Sequence, residues 1–68
     1  MAVNLQVNGK ARQIEGSQNL LAFLEALGVN LNFIAVAYNG EVLDKDAFPT
    51  VTLSEGDVLE IVRPVGGG

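Results

Sequence analysis

Val3-Asn4-Leu5-Gln6-Val7-Asn8-Gly9-Lys10-Ala11-Arg12-Gln13-Ile14 sets an Asn-Gly pair between two short arms. In the first arm Val3, Leu5 and Val7 alternate with Asn4 and Gln6, the period of a strand with one buried face. Asn8-Gly9 is a strong hairpin signal, because both central positions of a tight two-residue turn need positive φ. The second arm, Lys10 to Ile14, is expected to return antiparallel. A two-residue turn pairs Val7 with Lys10, Leu5 with Arg12 and Val3 with Ile14. That register puts Arg12 on the inward face, where its aliphatic stem must snorkel at the sheet edge; otherwise the register is different.

Beyond the hairpin, Gly16-Ser17-Gln18-Asn19 breaks the strand pattern. Leu20, Leu21, Leu24 and Leu27 then recur at helical spacing, with Ala22, Glu25 and Ala26 as good helix formers. Asn19 is the better N-cap, Ser17 the alternative, and Gly28 stands where a left-handed residue ends a helix. Phe23 falls toward the flank of the apolar stripe and is expected to cover the sheet edge. Ile34, Val36 and Tyr38 alternate with Ala35 and Ala37 in a third strand. Asn39-Gly40 turns the chain, and Glu41-Val42-Leu43 pairs back briefly. Asp44 to Thr52 holds turn residues and two apolar anchors, Phe48 and Val51. Glu55-Gly56-Asp57 is a further turn, and Val58 to Arg63 is the last strand, with Leu59 and Ile61 inward and Val58, Glu60 and Val62 on the other face. One helix on such a sheet makes a two-layer α+β domain. The first and last strands are expected to run parallel through its centre.

The 68 residues amount to one small domain, whose stability rests on apolar packing: 49% are hydrophobic and none is cysteine. Cysteine and histidine are both absent, which removes thiolate chemistry and the commonest general base. A net charge of −4 argues against a nucleic-acid binder, and Lys10, Arg12, Lys45 and Arg63 form no basic run. No apolar stretch approaches the roughly 18 residues of a membrane span, and no secretory signal is visible. A cytoplasmic protein, monomeric when free, is the expectation. Asp44, Asp46, Glu55 and Asp57 lack the ligand ladder of a calcium loop and read as solvated loop acids. No nucleophile has a plausible base, so the isolated chain is expected to catalyse nothing.

Val65-Gly66-Gly67-Gly68 closes the sequence. Pro64 cannot continue a central ladder, so a 1–63 domain and a 64–68 extended tail are expected. Fully stretched, Pro64 to Gly68 reach about 17 Å. Glycines without Cβ atoms let a backbone enter a narrow slot, which makes the carboxyl group of Gly68 a candidate reagent. Activating a carboxylate calls for a leaving group, such as an acyl-adenylate, and this chain has no phosphate loop. The ATP-using machinery must therefore be a partner. The plain alternative is a frayed or added tail.

Four segments, Asn19 to Gly28, Ile34 to Val42, Glu55 to Val62 and Val65 to Gly68, together resemble the thiamine-biosynthesis sulfur carrier family (ThiS-type). The resemblance covers nearly the whole chain in order. It implies a β-grasp, ubiquitin-like fold with a mixed four- to five-stranded sheet on one main helix. It also implies a carrier, not an enzyme: an E1-like adenylyltransferase (ThiF-type) activates the last glycine, sulfur replaces one carboxylate oxygen, and a thiazole synthase (ThiG-type) takes it. On this chain Gly68 bears the thiocarboxylate, Gly66 and Gly67 provide access, and no cofactor is bound. Val58, Glu60, Val62, Arg63 and Val65 then form a docking surface for these partners; otherwise they are ordinary residues of a central strand and its exit. Arg63-Pro64-Val65 departs from the commonest approach to the glycines and is similar to the small subunit of molybdopterin synthase, a sister carrier. A ubiquitin-like protein modifier and an inert β-grasp interaction module complete the alternatives.

Overall fold

The computed structural model describes residues 1–63, so Pro64 to Gly68, and every expectation placed on them, lie outside the described residues. Five strands and one α-helix follow in chain order: β1 (Ala2–Val7), β2 (Lys10–Glu15), α1 (Leu20–Leu27), β3 (Ala35–Tyr38), β4 (Glu41–Leu43) and β5 (Val58–Val62). Two 3-10 turns, Leu31–Phe33 and Lys45–Thr50, lie between them. The strands form one sheet in the order β2-β1-β5-β3-β4. β5 is central, parallel to β1 and antiparallel to β3. This is the expected β-grasp topology, with the helix on one face.

The first hairpin has the register read from its turn: Val7 faces Lys10, Leu5 faces Arg12 and Val3 faces Ile14. Asn8 and Gly9 both take positive φ, 52° and 80°. Arg12 is therefore on the helix side, and its guanidinium carbon lies 5.8 Å from the centroid of the Phe23 ring. A cation over an aromatic face is attracted by the ring quadrupole, so the inward position becomes a lid over the core.

The helix starts at Asn19, whose Oδ1 accepts from the N–H groups of Leu21 (2.9 Å) and Ala22 (3.3 Å). It ends at Gly28, left-handed at φ 78°. Leu20, Phe23 and Leu24 are buried, whereas Leu21 is only half-buried. Phe23 is buried at the flank of the packed stripe and covers the sheet edge as expected, against Arg12 of the edge strand β2. The i, i+3, i+4 set starting at Leu20 faces the sheet, which turns Leu21 sideways.

Leu20, Leu24, Val36, Phe48, Leu53 and Leu59 are essentially inaccessible to solvent. Phe48 reaches the core from the 3-10 turn Lys45–Thr50, which packs on α1. Two backbone hydrogen bonds tie down the chain on either side of the helix start, Leu20 N–H to Val51 C=O and Leu53 N–H to Gln18 C=O, each 2.8 Å. They explain how Leu53, in a stretch without any periodic pattern, becomes fully buried.

Candidate functional site

The site expected at the end of β5 needs a strand held firmly in place, and two asparagines do this. Beyond Val7 the parallel ladder runs out. Asn8 extends it: its backbone N–H donates to Leu59 C=O at 2.9 Å, its Nδ2 donates to Ile61 C=O at 3.1 Å, and its Oδ1 accepts from Ile61 N–H at 2.7 Å. At the other end Asn39 repeats the device. Its backbone N–H donates to Val58 C=O at 2.8 Å and its Oδ1 accepts from Val58 N–H at 2.8 Å. Both residues sit in Asn-Gly turns at φ near 50°, a conformation asparagine tolerates better than most side chains. Each turn thus shapes a hairpin and clamps one end of β5. Asn8→Gly keeps the positive φ and deletes only the side-chain clamp. Amide exchange at Ile61 is expected to accelerate, with a stability loss of about 1–2 kcal/mol in urea titrations, the worth of one or two net hydrogen bonds.

The start of β5 is fixed by Asp57, which is only 8% exposed. Its carboxylate accepts from Tyr38 O–H at 2.8 Å, Ser54 N–H at 2.8 Å and Asn39 Nδ2 at 3.2 Å. Asp57 is therefore not the solvated loop acid expected from sequence; a buried carboxylate with three donors persists because those donors replace water. Glu55 accepts from Asn4 N–H at 2.8 Å but stays exposed, as do Asp44 and Asp46. Among the described residues no three His, Cys, Asp or Glu side chains assemble as a metal site.

Burial alone pushes the Asp57 pKa up, but the hydrogen bonds from Ser54, Tyr38 and Asn39 prevail and hold it below the ordinary 3.8. The hydrogen bond to Asp57, with burial and the nearby charge, raises Tyr38 above 10.0. The unfolded chain binds the Asp57 proton first as pH falls. The carboxylate therefore stabilises the fold fully above pH 3.8, and this contribution is lost as pH drops through the lower folded value. Tyr38 acts in the opposite direction: its contribution is lost as pH rises from 10.0 through its raised folded value. For Asp57→Asn we expect a loss of about 1.5–3 kcal/mol at neutral pH, the scale of a hydrogen bond to a charged group. Urea midpoints of the variant and the parent should converge in acid; a gap that stays constant down the acid limb would exclude Asp57 as the titrating group.

Between these clamps β5 presents two faces. Leu59 is buried and Ile61 half-buried on the helix side. Val58 and Val62, 39% and 54% exposed, lie with Glu60 on the open face. The structure thus places Val58, Glu60 and Val62 together as expected, but Arg63 is corrected: it borders the helix side with Leu27, Ile34 and Ile61, because the alternation that turns Leu59 and Ile61 inward continues to it. It adds three residues that the sequence reading left out. Ala35, Ala37 and Val42 join Glu60 and Val62 around a shallow hollow of about 180 Å³, and Val42 is 74% exposed. The signal was present in the small-residue face of β3, where Ala35 and Ala37 leave room above the sheet. Val65, Gly66, Gly67 and Gly68 lie outside the described residues.

The ThiS family model matches residues 5–68, all but the first four positions. The chain belongs to the ThiS family. This ThiS-family chain is 39% identical over 62 residues to the sulfur carrier protein ThiS of Thermus thermophilus, covering 91% of this chain and 95% of the relative. The crystal structure of the thiamine biosynthesis protein (ThiS) from Geobacter metallireducens superposes with a TM-score of 0.85 at 40% identity, covering 97% of this chain and 100% of that one. The thiazole synthase of Paramagnetospirillum magneticum is 38% identical over 66 residues, 97% of this chain. The chain spans only 20% of that synthase's length, and the same share of a second thiazole synthase from Magnetococcus marinus. No helix among the described residues is long and apolar enough to cross a membrane.

Proposed function

We propose that this chain is a sulfur carrier of thiamine biosynthesis, with the carboxyl group of Gly68 as the carrying atom set. The observation that carries the reading is the family match running through residue 68, so that Gly66-Gly67-Gly68 lies inside the matched region. In the proposed sequence an E1-like enzyme binds ATP. One Gly68 carboxylate oxygen attacks the α-phosphorus, and pyrophosphate leaves. A sulfur nucleophile at the oxidation level of sulfide then attacks the carbonyl carbon, and AMP departs with its oxygen. The product is a thiocarboxylate, which a thiazole synthase consumes.

This chain contributes presentation rather than catalysis. With neither cysteine nor histidine in its 68 residues, the carboxylate is its reagent, and bare glycines give a partner's pocket access to it. The open face bearing Val58, Glu60 and Val62 docks the partners; Arg63 turns to the helix side instead, and Val65 lies outside the described residues. A synthase as acceptor is supported by the two thiazole synthases that each contain a segment similar to this chain. The similarity to the thiamine biosynthesis protein (ThiS) of Geobacter metallireducens also favours this pathway over a molybdopterin carrier, despite Pro64. Mass spectrometry of the Gly68-containing peptide, after incubation with the activating enzyme, ATP and a sulfide source, tests the reading. An oxygen-to-sulfur exchange that depends on ATP is expected. Branched conjugates on other proteins would point to a modifier, and an unaltered peptide would leave the inert module.

A further inference from the structure

On the helix side, a groove of about 730 Å³ crosses the strand ends beneath the C-terminus of α1. Leu27, Ile34 and Ile61, all half-buried, supply apolar walls, and Lys10, Arg12 and Arg63 border it. A second hollow of about 470 Å³ shares Leu27, Ile34 and Arg63 and continues to Phe33, which is 65% exposed. No Asp or Glu lines either hollow. This distribution is uneven for a chain of net charge −4: three of its four basic residues gather on one trough. Lys10 and Arg12 are two apart on β2 and so share its helix-side face. The ion pair found among the described residues, the Met1 amino group with Glu15 at 3.7 Å, lies elsewhere. Arg12 is held by its contact with Phe23, an arrangement that fixes the cation without neutralising it.

We infer that this trough binds a short, extended acidic segment of a protein partner. Its carboxylates lie toward Lys10 and Arg12, Arg63 pairs with it midway, and an aromatic or branched anchor packs on Phe33. The trough runs from β2 past β1 and β5 to the approach to β3. Three strand spacings make this about 14 Å, the reach of about four extended residues. Apolar walls supply contact area, and the local positive charge selects an acidic sequence and repels a basic one. The surface is distinct from the open face of the sheet.

Amide shifts of the isotopically labelled, unactivated protein test this with the probe acetyl-Asp-Glu-Asp-Gly-Leu-Phe-amide and its counterpart with Lys in place of each acid. The acidic probe is expected to move the amides of Lys10, Arg12, Phe33, Ile34 and Arg63, to bind more weakly as salt is raised, and to outbind the basic probe at least tenfold. Lys10→Glu/Arg63→Glu should weaken it at least tenfold while keeping native amide dispersion. Phe33→Ser, at an exposed position, should lose the Leu-Phe contribution alone. Equal binding of both probes, or shifts centred on Val58 and Val62, would overturn the assignment. So would the same shifts produced by raising protein concentration without peptide, which would give the trough to a second copy. No binding at all would leave Lys10 and Arg12 as guards of an open sheet edge. The experiment uses no ATP or sulfur, so its failure and that of the carrier reading are separable.

Discussion

Leu24→Ala is expected to leave this domain largely unfolded at physiological temperature. Leu24 is fully buried, in a cluster with Leu20, Phe23, Val36 and Leu59. Deleting its side-chain carbons loses their transfer free energy and opens a cavity, together about 2–5 kcal/mol. A core in a chain of this size, with no disulfide, supplies only about 3–5 kcal/mol in all. At about 4–8 °C per kcal/mol for a domain of this length, the thermal midpoint should fall by tens of degrees. Circular dichroism melts and the loss of amide dispersion report it directly. A drop of only a few degrees would mean that the neighbours collapse into the space, contrary to a site walled by both the sheet and the Phe48 turn. Leu21→Ala is the internal control, because its side chain is only half-buried and should cost much less.

The second large effect is on activation. Gly67→Ala is expected to reduce kcat/KM for ATP-dependent adenylation by on the order of a hundredfold, the cost of displacing a reacting group by about 1 Å. A single methyl group widens the chain where the proposed slot fits bare backbone. Its melt should match the parent, since the buried apolar residues of the described chain run from Leu5 to Leu59. Pyrophosphate release with the cognate E1-like enzyme measures the loss. A variant activated as fast as the parent would remove the threading argument while leaving the fold untouched.

Much of the architecture was readable along the chain because it depends on neighbours. Strand faces follow from a period of two and the hairpin register from a two-residue turn. The helix limits follow from Asn19 and Gly28, which satisfy orphan groups a few residues away. Each of these agrees with the structure. The exposed strip Val58, Glu60, Val62 was readable for the same reason, since alternation in β5 assigns both faces at once. Element order and resemblance together gave the parallel pairing of β1 with β5.

Other features depend on residues that meet only after folding, and no local pattern announces them. Asp57 looked like any turn acid until Tyr38, 19 positions earlier, supplied a hydroxyl. Asn8 looked like a turn residue alone, yet its amide holds Ile61 at a separation of 53 positions. Leu53 has no periodic company and is buried because backbone hydrogen bonds carry its loop over the helix start. The trough of Lys10, Arg12 and Arg63 draws its walls from both ends of the sequence, so charges that form no run in the chain form a patch in space. Turns, caps and alternation are short-range steric and hydrogen-bonding choices that each residue makes with its neighbours. Burial, clamps and charge clusters arise from long-range packing, which the order of residues specifies only through the completed fold.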